Sequence, residues 1–331
     1  MDLLAVTTRI RSAQQRFVID DSSKVGEARR AAQTIANFEF TAEIAGKVAI
    51  AATEMANNLL LHASGGELLV QALGDDDAAV VELLAIDRGP GMDNIERCLR
   101  DGYSTAGTPG TGLGAIRRLA TEFDIHSVPG EGTIVMARFG TATGIRHGAI
   151  SIAVEGEIEC GDAWCLKQDS RGLALFVVDG LGHGTFAAEA ARAAVGAFAL
   201  EPFAEPQEVM VRANGLMSKT RGGAAACARV VGDKVTFAGV GNISGTLISV
   251  GNSQGLMSHN GTLGLHKRLS PQFEYLRNPG ALLIMHSDGL SARWDLKNRP
   301  DLLARHPAII AAALYRDHGR ERDDATVVVV G

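Results

Sequence analysis

The chain has 331 residues, which is long enough for two domains that each bury a hydrophobic core. With 46% hydrophobic and 21% charged residues, the composition excludes a disordered protein and is typical of a folded one. The formal net charge of -6 is small and Lys and Arg are scattered, so the sequence gives no indication of nucleic-acid binding.

The sequence pattern also argues against a membrane protein and against a zinc or redox protein. No apolar run approaches the length that spans a membrane, and the N-terminus lacks the pattern of a secretion signal, so we expect a cytoplasmic protein. None of the cysteines, Cys98, Cys160, Cys165 and Cys227, forms a Cys-x-x-Cys pair. We therefore expect reduced and mostly buried thiols.

The N-terminal half is predicted to mix strands and helices, and its second helix carries a polar stripe. After a strand at 16–19, apolar residues recur between Glu43 and His62 with the spacing of a helix that buries one face. Glu54, Asn58 and His62 follow at intervals of four, so they project from nearly the same side. Taken alone, such a stripe is also typical of a solvated helix face.

Two strands follow, at 67–73 and 79–86, and Asp87 comes at the end of the second. Gly89 and Gly91 come shortly after this carboxylate. A carboxylate in this place can accept the exocyclic amino hydrogen of adenine, and the glycines allow a base to approach the backbone. An ordinary Gly-Pro-Gly turn is the alternative explanation.

A glycine-rich loop then leads into a short helix, predicted from Gly114 to Phe123. Gly110, Gly112 and Gly114 would free backbone N–H groups to surround a phosphate chain, whose negative charge the helix dipole favours. A hairpin closed at 129–132 follows this helix. A lone glycine-rich loop would be a weak signal of nucleotide binding.

The segment at 140–144 contains small residues and no periodicity, so it is the predicted domain boundary. We expect one domain at 1–140 and another at 148–331. The second is predicted to contain strands, two helices within 187–219, more strands, and a helix near 302–315.

In combination and in this order, the polar helix stripe, the Asp87 turn, the glycine loop and the Gly132-Thr133 hairpin resemble the Bergerat-type ATP-binding fold. Histidine kinases, gyrase, one class of heat-shock chaperones and anti-sigma kinases share that fold. The run at 101–105, the glycine loop and residues 117–125 look most like the stressosome-type switch kinases of the RsbT kind.

The resemblance implies a role for each matching residue. Asn58 would hold Mg²⁺ through its amide oxygen, and Glu54 would orient or deprotonate the attacking hydroxyl. His62 would support the phosphates, and Asp87 would recognise adenine. The other residues that would shape the nucleotide pocket are Gly89, Gly91, Thr105, Gly110, Gly112, Gly114 and Thr133.

The C-terminal half contains five notable carboxylates, most of them beside apolar, strand-like runs. They are Asp162, Asp179, Asp288, Asp323 and Asp324. Carboxylates brought together repel one another unless a cation neutralises them, and oxygen-rich clusters select Mg²⁺ or Mn²⁺. Two such ions can activate water for in-line attack on a phosphate. Each Asp-Gly pair taken singly would be an ordinary turn.

The order and context of these carboxylates resemble the metal-dependent protein phosphatases of type 2C, specifically the bacterial SpoIIE and RsbX branch. The resemblance spans 148–331 and implies an αββα sandwich. Asp179 would be the catalytic residue that bridges the two metal ions, and Gly180 would supply a backbone carbonyl to one of them.

Three further carboxylates would complete the metal site by the same resemblance. Asp288 and Asp323 would bind the other ion, and Asp162 would act mainly through bound water. Asp324 stands beside Asp323 and leaves the choice between these two ligands open.

Together, the resemblances predict an α/β two-domain protein with an N-terminal Bergerat-type α/β sandwich. They imply a regulator of bacterial partner switching that uses ATP and Mg²⁺ to phosphorylate, and two Mn²⁺ or Mg²⁺ ions to dephosphorylate, Ser or Thr. Its partner would be a STAS-domain antagonist or a stressosome-type protein. A sigma factor or a downstream phosphatase is a further candidate partner, and a homodimer is a candidate assembly.

Two alternatives remain open at the level of the sequence. The first domain would in one case be a non-catalytic ATP sensor that controls the phosphatase. In the other, the protein would be an anti-sigma factor that sequesters a sigma subunit directly.

Overall fold

The structure is a computed structural model that describes residues 6–10, 13–74, 79–100, 112–141, 146–265 and 271–331. The chain divides into two compact units. The N-terminal unit is Ile10–Gly144, and the C-terminal unit is Ile145–Gly331 together with Met1–Arg9. This division differs from the predicted 1–140 at the start of the chain, because β1 (Val6–Ile10) pairs with β8 (Asp162–Asp169).

The N-terminal unit contains an antiparallel sheet with helices on one face. The strands are β2 (Gln15–Ile19), β3 (Gly66–Gly74), β4 (Ala79–Ile86), β5 (Glu122–Val128) and β6 (Gly132–Gly140), paired in the order β2-β3-β4-β6-β5. The helices are α1 (Ser22–Glu39), α2 (Ala42–His62), α3 (Ile95–Cys98) and α4 (Gly112–Leu119). Alternate strand residues face the helices, as the period of two requires.

Small side chains allow α1 and α2 to pack closely against each other and against the sheet. Ala28 and Ala32 of α1 and Ala45 and Ala52 of α2 are fully buried. α1 begins after an N-cap in which Asp21 accepts a hydrogen bond from the backbone of the first turn. The alanine-rich faces therefore set the position of α2, which carries the polar stripe.

The helix predicted from Gly114 to Phe123 is shorter at its C-terminal end. α4 ends at Leu119, and Phe123 instead lies in β5, paired with Ala137 of β6. The backbone N–H of Thr121 donates to the carbonyl of Arg138 at 2.8 Å. The helical apolar pattern continues past Leu119, but the chain pairs with β6 from Glu122 onward, so the helix ends earlier than the pattern predicts.

The C-terminal unit consists of two antiparallel sheets with helices on their outer faces, which is the αββα arrangement. One sheet has the order β14-β11-β10-β9-β8 with β1 beside β8, and the other has the order β13-β12-β15-β16-β7. The first sheet's remaining strands are β9 (Gly172–Gly180), β10 (Gly223–Val231), β11 (Lys234–Val240) and β14 (Phe273–Leu276). The second contains β7 (His147–Ile152), β12 (Ser244–Ser249), β13 (Asn252–Leu256), β15 (Leu282–His286) and β16 (Ala325–Val330).

Among the residues that the structure describes, the C-terminal unit has four α-helices. They are α5 (Thr185–Leu200), α6 (Pro206–Leu216), α7 (Pro300–Leu303) and α8 (Pro307–His318). The predicted helix near 302–315 is thus two helices, because Pro307 lacks a backbone N–H and begins a new helix. No helix within the described ranges is long and apolar enough to cross a membrane.

Candidate functional sites

The N-terminal unit brings part of the polar stripe of α2 to the start of α4. A Cβ atom at Gly112 would lie 2.9 Å from Glu54 Oε2 and 3.5 Å from Asn58 Oδ1. Asn58 Nδ2 is buried and has no hydrogen-bond partner among the residues that the structure describes. His62, the next residue of the stripe, is exposed. An unsatisfied buried amide beside a helix N-terminus fits a polar, anionic ligand such as the phosphates of ATP·Mg²⁺.

A second group of residues holds the end of β4 against β6. Asp87 Oδ1 accepts hydrogen bonds from the backbone N–H groups of Gly89 at 2.8 Å and of Thr133 at 3.0 Å. The backbone N–H of Asp87 donates in turn to the carbonyl of Thr133 at 2.9 Å. Thr133 Oγ1 is 2.8 Å from Ser127 Oγ, so these hydroxyls share a hydrogen bond. The carboxylate is therefore held rigidly beside the hairpin, as recognition of a flat base requires.

The glycines of this turn are required for steric reasons. A Cβ at Gly89 would lie 2.7 Å from Ala63 Cα, and one at Gly91 would overlap the carbonyl oxygen of Val128. Gly91 also has a φ of 70°, a conformation that favours glycine. Close packing of the turn thus accounts for both residues without a ligand, although it also shapes the surface beside Asp87.

Seven of the predicted nucleotide residues fall into two groups. Glu54, Asn58 and Gly112 lie together, and Asp87, Gly89, Gly91 and Thr133 form the second group. Gly114 is buried within α4. Thr105 and Gly110 lie outside the described residues. Ser127 was not predicted from the sequence, since a serine in a strand carries no local signal of its bond to Thr133.

In the C-terminal unit, Asp162 and Asp179 face each other across β8 and β9 as registered partners. Ser287 Oγ donates to Asp162 Oδ2 at 2.6 Å. Asn242 Nδ2 donates to Asp179 Oδ2 at 3.2 Å. Antiparallel pairing brings together residues that are 17 positions apart in the sequence, and the β15–β16 connection supplies the serine.

Asp323 and Asp324 differ in what their side chains contact. Asp324 is 2% exposed, and its two carboxylate oxygens accept the backbone N–H groups of Val154 and Gly161, each at 2.7 Å. Asp323 is more open, and among the described residues its Oδ1 accepts only the neighbouring backbone N–H of Asp324, at 3.0 Å. Asp324 therefore fastens the chain before β8, whereas Asp323 keeps greater capacity to bind an ion.

The carboxylates of this unit perturb one another. Burial, followed by the nearby charge of Asp288, raises the pKa of Asp179 to about 7. Burial and then Asp179 raise the pKa of Asp162 well above its usual range. Burial and then Asp288 raise the pKa of Asp323. These four carboxylates therefore lie within electrostatic reach of one another.

A divalent metal fits the chemistry of this site, although the ligands are not already gathered around one point. Within the described ranges, no three His, Cys, Asp or Glu side chains are arranged to hold a metal ion. In the same part of the chain, the five aspartates form no ion pair with Lys, Arg or His. Asp162 and Asp179, whose pKa values are raised by burial and by neighbouring carboxylates, are oxygen donors that Mg²⁺ or Mn²⁺ would neutralise.

The loop after Asp179 is tightly packed. The backbone N–H of Gly180 donates to the carbonyl of Gly161 at 3.0 Å, and a Cβ at Gly180 would overlap the carbonyl oxygen of Ala187. His183 Nδ1 lies 2.7 Å from Glu157 Oε1. The contact between His183 and Glu157 ties the loop to the segment before β8.

Comparison with known proteins places both units in families. Residues 19–139 match the family described as histidine kinase-like ATPase domain, and residues 169–331 match stage II sporulation protein E, SpoIIE. The serine/threonine-protein kinase RsbT of Bacillus subtilis (strain 168) is 36% identical over 91 residues, which cover 28% of this chain and 68% of RsbT. The chain is an RsbT-like kinase domain fused to a SpoIIE/RsbX-like phosphatase domain.

Solved structures agree with the fold of the SpoIIE/RsbX-like domain. A structure described as "The bacterial stressosome: a modular system that has been adapted to control secondary messenger signaling" is 28% identical, with a TM-score of 0.52, and covers 56% of this chain and 99% of its own. RsbX in complex with magnesium is 24% identical, with a TM-score of 0.50, and covers 55% of this chain and 94% of RsbX. Together with the two family matches, this confirms the predicted two-domain α/β fold.

Proposed function

We propose that the protein is a bifunctional regulator of a bacterial partner-switching pathway. Its RsbT-like domain transfers phosphate from ATP to a Ser or Thr of a STAS-type antagonist protein, and its SpoIIE/RsbX-like domain removes such a phosphate. The observation that carries the phosphatase half is the facing pair Asp162 and Asp179, whose pKa values are raised by burial and by neighbouring carboxylates. The family relationships support the choice of partner.

In the kinase half, residues of α2 act at the phosphates, and Asp87, which follows β4, acts at the base beside Thr133 of β6. Asn58 would bind Mg²⁺ through its amide oxygen, which lies 3.5 Å from the position of a Cβ at Gly112, at the start of α4. Glu54, one helical turn away, would orient the attacking hydroxyl and take its proton; its Oε2 lies 2.9 Å from the position of a Cβ at Gly112. Asp87 would accept the amino hydrogen of adenine.

In the phosphatase half, Asp179 would bind both ions, Asp288 and Asp323 would bind one of them, and Gly180 would add its carbonyl oxygen. Bound Mn²⁺ or Mg²⁺ supplies Lewis acidity that activates water and neutralises charge on the phosphate. Asp162 would orient the bound water, because Ser287 already holds one of its oxygens. Hydrolysis then needs no covalent nucleophile: water oxygen bonds to phosphorus, and the Ser or Thr oxygen leaves as the alcohol with a proton.

The phosphatase assignment is tested by hydrolysis of a phosphoserine or phosphothreonine peptide in Mn²⁺. We expect the parent protein to be active and Asp179→Ala to lose at least about 100-fold in rate, as removal of a charge-stabilising group does. Asp233→Ala, in the exposed turn between β10 and β11, is the matched control and should keep full activity. Equal rates for the parent and Asp179→Ala would sink the assignment.

The kinase assignment is tested with ATP labelled at the γ-phosphate and several purified STAS-domain proteins. We expect Glu54→Gln to bind ATP but not to transfer phosphate, and Asp87→Asn to lose ATP binding. Glu43→Gln, at an exposed position on the same helix, is the control and should keep both ATP binding and phosphate transfer. In cells, the response of the signalling pathway gives a second readout. If Glu54→Gln kept that response and Asp87→Asn abolished it, the domain would be a nucleotide sensor rather than a kinase.

A further inference from the structure

Arg221 lies beside the loop that follows Asp179. In the pairing of β10 with β9, Ala224 faces Asp179 and Gly223 faces Gly180. One residue earlier, the carbonyl of Gly222 accepts the backbone N–H of Leu181 at 2.9 Å. This pairing brings Arg221 to the position opposite Gly182, only three residues after Asp179 in the sequence.

The side chain of Arg221 stays on this loop. A Cβ at Gly182 would lie 3.4 Å from Arg221 Nη1. The guanidinium carbon of Arg221 is 4.8 Å from the ring centroid of Phe186, in the first turn of α5. Stacking on an aromatic face restrains a guanidinium while its N–H groups remain able to donate. The loop beside Asp179 thus carries an oriented cation.

Arg221 has no anionic partner among the residues that the structure describes. No carboxylate there forms an ion pair or hydrogen bond with it, whereas the comparable Arg171, stacked at 4.2 Å over Phe203, pairs with Asp169 at 2.7 Å. An exposed guanidinium, fixed by an aromatic ring and lacking a carboxylate, can bind a phosphate with two parallel hydrogen bonds. The sequence pattern alone gave no phosphate-binding arginine in this domain.

We infer that Arg221 binds the phosphate group of the phosphoserine or phosphothreonine substrate and positions it beside Asp179. This inference rests on the proposed phosphatase function and adds a substrate-binding residue to it. Arg221 takes no part in the bond changes. It supplies a positive charge, held against Gly182 and Phe186, on the loop that follows Asp179.

The test compares Arg221→Ala and Arg221→Lys with the parent protein in Mn²⁺. We expect Arg221→Ala to lose about 10- to 100-fold in kcat/KM for a phosphopeptide, since hydrogen bonds between charged groups are the stronger ones. Its inhibition constant for inorganic phosphate should rise by a similar factor. For Arg221→Lys, both constants should lie between those of Arg221→Ala and those of the parent protein, because Lys keeps the charge but lacks the planar guanidinium group.

Direct binding of inorganic phosphate to the Mn²⁺-loaded proteins, measured by calorimetry, makes the inference independent of turnover. Arg171→Ala is the matched control and should bind phosphate as the parent does, while the melting temperatures show whether each variant folds. A parent protein that binds phosphate but hydrolyses no phosphopeptide would overturn the proposed function alone. Unchanged phosphate affinity and kcat/KM in a folded Arg221→Ala, or no phosphate binding by the parent, would overturn the role of Arg221.

Discussion

Asp324 Oδ2 accepts a hydrogen bond from the backbone N–H of Gly161 at 2.7 Å. Gly161 is the residue before Asp162. Asp324 Oδ1 accepts the N–H of Val154 at the same distance. The carboxylate of the adjacent residue, Asp323, accepts a hydrogen bond from the backbone N–H of Asp324 instead. The sequence alone could not distinguish these two neighbouring carboxylates, and the structure shows that they differ in their hydrogen bonds.

Asp324→Asn is expected to lower the free energy of unfolding by about 1–3 kcal/mol, because an amide nitrogen would replace one of two acceptors facing buried N–H groups. Asp323→Asn is expected to leave stability nearly unchanged and to weaken Mn²⁺ binding at least about tenfold. Urea denaturation in EDTA measures the first effect and calorimetric titration with Mn²⁺ measures the second. The opposite result, with Asp324→Asn stable but defective in Mn²⁺ binding, would exchange the two assignments.

Metal should stabilise the SpoIIE/RsbX-like domain, because its buried carboxylates repel one another. We expect Mn²⁺ to raise the melting temperature of the parent protein over that in EDTA. Asp179→Asn should be at least as stable as the parent in EDTA, since one repelling charge is gone, and should gain little from Mn²⁺. Thermal unfolding of both proteins, followed by circular dichroism, checks this. A large destabilisation of Asp179→Asn in EDTA would contradict the account of repulsion.

Gly112 is expected to be essential for ATP binding. Its Cβ in Gly112→Ala would lie 2.9 Å from Glu54 Oε2 and would occupy the space beside Asn58. We expect ATP affinity to fall at least about tenfold, measured with a fluorescent ATP analogue. Gly46→Ala is the control, since its Cβ meets nothing within 4 Å, and it should stabilise α2 by about 0.5–1 kcal/mol without changing affinity.

Most candidate site residues could be proposed from the sequence because each occurs in a short motif whose order along the chain is characteristic, whereas Ser127 and Arg221 could not. The contacts of these residues could not be predicted. The partnership of Asp179 with Asp162 depends on the register of β8 and β9, and that of Arg221 with Gly182 depends on the register of β9 and β10. Register is fixed by the packing of both sheet faces, which local periodicity does not contain.

The strands of the RsbT-like domain show the same limit. β4 and β6 each carry one charged residue among mostly apolar ones, Glu82 and Arg138. Both are buried, at 1% and 4% exposure. Arg138 Nε and Nη2 each donate to Glu82 Oε2 at 2.7 Å, and Gln71 Nε2 donates to Glu82 Oε1 at 2.8 Å. A charged residue in a strand gives no local sign that its partner lies on the neighbouring strand.

This buried pair gives a stability prediction that is independent of both proposed activities. Arg138→Met should lower the free energy of unfolding by about 3–5 kcal/mol, because it leaves the buried Glu82 carboxylate without its cation. Glu82→Leu combined with Arg138→Met should recover most of that loss, since no charge then remains buried in the pair. Arg192→Met, which breaks an exposed ion pair with Glu159, should cost less than about 1 kcal/mol. Urea denaturation of all four proteins checks the series, and a double variant no more stable than Arg138→Met would show that the cost lies in lost packing rather than in the unpaired charge.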